Sequence, residues 1–180
     1  MSRYLETVEM IIMKNTRLFI LLLTMGIVTI GNTGCKDEVC GDLTGDLEYF
    51  VFGHFYGECA GEGCVEMFKV EEGKLYEDDI DDYPNYTSPI QANWNELPAE
   101  KYNEVKDLSG EVPMELFDET DHVLGIPDGG DWGGIYVEFK YAGSQSSKSG
   151  FWLLDKNESN MAKVYNDFVD KIEEKIQLIQ

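Results

Sequence analysis

The amino-acid sequence predicts an α+β domain: a mostly antiparallel sheet of about five strands with two helices packed on one face. Three observations carry that expectation. Ile135, Val137, Phe139 and Tyr141 alternate with Tyr136, Glu138 and Lys140, the period-two pattern of a half-buried strand. Residues 64–70 and 74–77 flank Glu71-Glu72-Gly73, a turn sequence that folds the two runs into a hairpin. Met161, Val164, Tyr165, Phe168, Val169, Ile172, Ile176 and Ile179 recur at steps of three and four. That is the broad apolar stripe of a helix, read here as a lid on the sheet rather than as a partner-binding face.

The elements follow in chain order. Residues 47–56 are aromatic and β-branched and read as a strand, with Gly53 marking a bulge. The first hairpin comes next, and then residues 78–89, acidic and turn-like, in which Pro84 and Pro89 exclude a central strand. Leu97-Pro98-Ala99-Glu100 opens a helix, because proline is tolerated in a first helical turn. Tyr102, Val105, Leu108 and Val112 hold its apolar face until Gly110 and Pro113 end it. Met114, Leu116 and Phe117 suit a further short turn, and residues 125–134 form a loop with five glycines and Pro127. The alternating strand then leads through a polar loop, residues 143–149, to a returning strand at 151–154. On the last helix, Asp167 and Lys171 stand one turn apart as an ion pair. Val65-Glu66-Met67-Phe68-Lys69 and Val137-Glu138-Phe139-Lys140 each begin a hairpin followed by a helix, which suggests a ββα-ββα layout.

The chain divides before this domain begins. Lys14-Asn15-Thr16-Arg17 precede thirteen uncharged, mostly apolar residues, 18–30, and then Gly31-Asn32-Thr33-Gly34-Cys35. A basic segment, a short apolar run and small residues make up a secretory signal peptide, and the run is shorter than the roughly 20 residues of a membrane-spanning helix. Gly34-Cys35 in this position resembles a bacterial lipobox, in which the Cys is acylated and becomes the N-terminus. Lys36-Asp37-Glu38 directly after it resembles the surface-export signal of Bacteroidota lipoproteins. The chain is thus similar to small lipoproteins of that phylum, a resemblance that implies an anchor and a place and no activity. It divides the chain into a signal peptide (1–34, with Met13 as the expected initiator), a lipidated Cys35 with its tether (35–45), and one globular domain (46–180). The implied partner is a membrane, reached through the lipid on Cys35. The implied location is the outer membrane, at the cell surface or, alternatively, on its periplasmic face.

Charge narrows the function classes. The chain has 14 Lys+Arg against 35 Asp+Glu, a formal charge of −21. Residues 1–34 hold three basic and two acidic groups, so the remainder carries 11 against 33, or −22. A nucleic-acid partner is excluded, because a phosphate backbone would be repelled. Past Cys35, Cys40, Cys59 and Cys64 remain. Cys59-Ala60-Gly61-Glu62-Gly63-Cys64 encloses a short loop that a disulfide would close, which export permits. No CxxC beside a helix is present, and a zinc site would have to draw on His54 or His122.

His54 lies among Phe52, Tyr56, Glu58 and Cys59, where it reads first as a packed strand residue. The alternative is a hydrolase or metal-dependent site built from His54, Glu58 and the Asp128/Asp131 loop. Residues 77–82 and Asp128 with Asp131 offer carboxylates, read as solvated loops with Ca²⁺ coordination as the alternative; neither fits an EF-hand. GxSxG, phosphate-loop and dinucleotide motifs are missing, and no cofactor is implied. Trp94, Trp132 and Tyr83, placed in loops, together with Asp128 and Asp131 make a candidate binding surface for a protein or glycan ligand. The sequence specifies no oligomeric state.

Overall fold

The computed structural model describes residues 45–61, 63–143 and 148–180. The expected signal peptide, the lipidated Cys35, Cys40 and most of the tether lie outside the described residues, as do residues 144–147 of the polar hairpin loop. What is described is an α+β fold with one sheet. Its strands are β1 (Gly45–Phe55), β2 (Val65–Glu71), β3 (Lys74–Asp78), β4 (Trp94–Glu96), β5 (Val123–Leu124), β6 (Gly134–Gly143) and β7 (Lys148–Asp155). The helices are α1 (Ala99–Val105), between β4 and β5, and α2 (Lys163–Ile179), after β7.

The strand order is β4-β3-β2-β1-β6-β7-β5, so the sheet has seven strands rather than the five expected. The two additions are the edges. β4 has three residues and β5 two, too few to show an alternating pattern, and β4 contains Trp94, which the sequence places in a loop. All neighbours are antiparallel except β5 and β7. The order of elements is four strands and a helix, then three strands and a helix.

β1 and β6 form the centre. Phe50, Phe52, Ile135, Val137 and Phe139 face one way and join Phe68, Leu75, Trp152 and Leu154 in the larger core, beneath both helices. Val51, Phe55, Met67, Tyr136, Phe151 and Leu153 face the other way and form a second core. The alternation around residues 135–141 predicts one solvated face, yet Tyr136 has no exposure at all. The pleat is as read; a loop described below covers its other side.

The bulge in β1 is not at Gly53, which pairs in continuous register with Met67 and Tyr136. It lies between Leu47 and Tyr49. The extra residue, Glu48, flips the phase, so Leu47 packs in the helix-side core and Tyr49 in the other. Gly53 answers a different need: a Cβ there would stand 2.1 Å from the carbonyl oxygen of Glu66 and 2.5 Å from the Met67 sulfur. In the β2–β3 hairpin, Glu72 and Gly73 both have positive φ, 49° and 75°, the conformation of a two-residue type I′ turn.

α2 buries Tyr165, Phe168, Val169, Ile172, Ile176 and Ile179, each contributing roughly 1.5–3 kcal/mol. Its first residue has no side-chain cap, so packing rather than capping sets its place. Lys171 does not pair with Asp167. Asp167 takes Lys163 at 2.5 Å, and Lys171 reaches Glu111 at 3.1 Å, tying α2 to the segment after α1. α1 is shorter than its apolar pattern suggests. It stops at Val105, and Leu108 and Leu116 continue into the core from two 3-10 turns, Leu108–Glu111 and Met114–Asp118. Among the described residues no helix is long and apolar enough to cross a membrane.

Candidate functional site

The side of the sheet away from the helices is where loops gather. Residues 79–93 leave β3 and return to β4, crossing this side as a strap. Asp78, 5% exposed, closes its neck: one carboxylate oxygen accepts from the backbone N–H of Asn93 at 2.6 Å and of Ile80 at 3.2 Å. Asn93 also donates to the Asp79 carboxylate at 2.7 Å; this bond and one from Asn95 hold that carboxyl below its ordinary pKa. Farther along, Ile90 packs on the second core, and its N–H donates to the buried Tyr136 hydroxyl at 3.2 Å. The Tyr83 ring stands edge-on against Phe55, 5.1 Å between centroids. Burial lifts the Glu77 carboxyl above its usual range. The acidic run is therefore partly structural, with Asp78 acting as a staple rather than as a solvated charge.

At one end of the sheet the strap meets the glycine-rich loop between β5 and β6, and Asp128 joins them. One of its oxygens accepts from Gly57 N–H at 2.7 Å and from the Tyr83 hydroxyl at 3.0 Å, and the other from Gly133 N–H at 3.1 Å. Tyr86 donates to the Pro127 carbonyl at 3.4 Å. Asp155, with no exposure, anchors the other flank of the loop, accepting from Ile126 N–H (2.7 Å), Trp132 Nε1 (2.9 Å), Asn157 N–H (2.8 Å) and Asn160 (2.7 Å). Gly133, at φ 77°, is required here: a Cβ would fall 2.4 Å from the Tyr56 ring. The side chains left outside are Tyr83, Tyr86, Ile126 and Trp132, between 38% and 61% exposed.

The hairpin that Gly57 opens is closed by the Cys59–Cys64 disulfide, Cα atoms 5.6 Å apart. Tyr56 N–H donates to the Cys64 carbonyl at 2.8 Å, and His54 Nε2 lies 3.1 Å from the Gly63 carbonyl, its ring 5.2 Å from Tyr56. His54 thus fastens this hairpin. Next to it, Lys156 donates to the Tyr56 hydroxyl at 2.6 Å and pairs with Glu173 of α2. Burial pulls the Lys156 ammonium down, but the Glu173 and Tyr56 bonds outweigh it and raise its pKa. His122 stands at the opposite side of the sheet, stacked on Phe151 at 4.4 Å with Nδ1 2.9 Å from that residue's carbonyl. Among the described residues no group of three or more His, Cys, Asp or Glu is arranged to hold a metal ion.

A groove of about 180 Å³ opens on the strap side, lined by Tyr49, Lys69, Glu71, Ile90, Trp94 and Glu138. Lys69, 15% exposed along its side chain, donates to Glu71 at 2.8 Å. Its ammonium lies 5.1 Å from the Tyr76 ring centre and 5.4 Å from that of Trp94. Tyr49 donates to one oxygen of Glu138 at 2.8 Å and Tyr136 to the other at 2.6 Å. Burial and the neighbouring carboxylate push both tyrosine hydroxyls well above their usual pKa, so both stay protonated donors.

The candidate residues from the sequence are thereby distributed. Trp132, Asp128 and Asp131 belong to the loop cluster, where Asp128 spends its oxygens on the fold and Asp131, at φ 61°, is exposed. Trp94 stands on the edge strand β4, with β3, β2, β1 and β6 between it and the Asp155 partner of Trp132. The two tryptophans do not form one surface. Tyr49, Lys69 and Glu138 escaped the sequence reading because each looks like an ordinary outward strand residue; only the alternation, with Tyr49, Lys69 and Glu138 on one face, hints at their meeting. Compared with family models, curated proteins and solved structures, the chain matches none.

Proposed function

We propose that the chain is a lipid-anchored lipoprotein of the outer membrane, displayed at the cell surface, whose folded domain is a binding module. Residues 1–34 act as the signal peptide, Cys35 carries the lipid, the segment to residue 45 is the tether, and residues 46–180 form the domain. The signal-like N-terminus and the Gly34-Cys35 pair support the anchor. The observation that carries the binding reading is the gathering of Tyr83, Tyr86, Ile126 and Trp132 at one end of the domain. Exposed apolar side chains grouped in this way mark contact surfaces, and here Asp128 and Asp155 hold their loops rigid. The acidity keeps a tethered domain soluble and standing off anionic surfaces.

Two measurements test the reading. Mass spectrometry of the protein from its own cells should find an acylated N-terminal Cys35; an intact Met1 or Met13 terminus overturns the anchor. A photo-crosslinking residue placed at Ile126 or Tyr86 should capture a partner on intact cells, whereas one at Glu174 on α2 should not. Equal capture from all three positions, or none, removes the binding surface.

A further inference from the structure

We propose that the strap side also binds a neutral saccharide, in two grooves whose linings share Ile90; the inference rests on the reading of the domain as a binding module and names a ligand class for it. The first groove is the one around Lys69 and Trp94. The second, of about 220 Å³, is walled by the strap itself, with Asp82, Tyr83, Asn85, Ser88 and Gln91 among its lining. Ile90 belongs to both walls.

The lining suits a sugar. A pyranose presents an apolar C–H face and a rim of hydroxyls, and it needs rings for the one and fixed donors and acceptors for the other. Trp94 and Tyr49 supply rings in the first groove and Tyr83 in the second. Glu71 and Glu138 supply acceptors in the first, and Asn85, Ser88 and Gln91 supply amides and a hydroxyl in the second. These groups are pre-oriented. Glu138 is held by two tyrosine hydroxyls, and the Asn85 carbonyl oxygen accepts from Thr87 N–H at 2.8 Å and from its hydroxyl at 2.7 Å.

Charge disfavours an anionic ligand. Lys69, the cation lining the first groove, is already paired with Glu71, and the chain carries −21, so an anionic ligand finds no unpaired positive charge there. Both Glu138 oxygens already accept from hydroxyl donors, and each keeps a lone pair for a further hydroxyl.

The experiment titrates the purified lipoprotein with cellobiose, maltotriose and xylobiose, and with trigalacturonate and oligolysine as charged counter-probes, following tryptophan emission and calorimetric heat. At least one neutral saccharide should saturate with a Kd of about 1 mM or tighter. Trp94→Phe should abolish the emission change. Asn85→Ala combined with Gln91→Ala, both exposed side chains whose loss leaves the cores intact, should weaken binding about tenfold by calorimetry. Glu174→Gln, on the exposed face of α2, should bind as the parent does. Saturation by trigalacturonate or oligolysine alone, saturation by no probe, or saccharide binding unchanged in the Asn85/Gln91 variant each overturns the proposal. Crosslinking through Ile126 reports separately: capture there with no saccharide binding removes the grooves and leaves the binding module, and failure of both removes both.

Discussion

Asp155 shows how much one side chain can hold. It is fully buried, yet its carboxylate collects donors from Ile126, Trp132, Asn157 and Asn160. Burial alone would raise its pKa; these bonds outweigh burial and hold it below the ordinary value. The folded pKa therefore lies below an unfolded value of about 3.9, so the stabilisation is complete above that pH and disappears as pH falls through the folded value. Asp155→Ala should cost about 3 kcal/mol at pH 7, because buried donors lose their acceptor. Urea unfolding at neutral and acid pH should show a flatter pH dependence in the variant than in the parent; parallel curves would deny Asp155 this part. Gly53 carries a steric role of equal sharpness. Gly53→Ala brings a methyl 2.1 Å from a backbone carbonyl in the middle of the sheet, and should cost about 3 kcal/mol of stability, read as a lower urea midpoint. An unchanged midpoint would show that β1 and β2 can part at no cost.

The strap is the element on which the side of the sheet away from the helices depends. It has no regular secondary structure of its own and is secured at three places: Asp78 at the neck, Ile90 on Tyr136, and Tyr83 between Phe55 and Asp128. Asp78→Ala leaves the Ile80 and Asn93 N–H groups without their acceptor, at a cost of about 1–3 kcal/mol. Hydrogen exchange in residues 79–93 should quicken while α2 keeps its protection; exchange unaltered in the strap would move the closure elsewhere. Much of this level was readable in advance. Glu72-Gly73 named its hairpin, residues 135–141 named β6, and the stripe from Met161 onward named α2, because each pattern is local and periodic. The strap's path was not readable, since Pro84 and Pro89 tell only that it is not a central strand. The Asp167–Lys171 pair failed for a related reason: one turn of spacing permits a contact, but Glu111, sixty residues away in sequence, offers Lys171 a better one.

Taken whole, the domain is a sheet with two unequal sides. Helices seal one; the other is covered by a strap and loops that leave aromatic rings and carboxylates at the surface. Residues 46–180 hold 10 Lys+Arg against 30 Asp+Glu, or −20; this charge resists compaction, so the melting temperature should rise from about 0.02 M to about 0.5 M NaCl as the charges are screened. A melting temperature that falls with salt would show that pairs such as Lys69–Glu71 and Lys175–Asp107 outweigh the repulsion. The sequence by itself determined the α+β class, the main hairpins and the long helix, because hydrophobic period and turn residues are written locally along the chain. Tertiary structure decided the rest: the edge strands β4 and β5, the bulge at Glu48, the burial of Tyr136, and the meetings of Tyr83 with Asp128 and of Trp132 with Asp155. Each of these is a contact between segments far apart in sequence. A two-residue strand or a single carboxylate leaves no periodic trace, and its role appears only when the chain brings its partners within hydrogen-bonding reach.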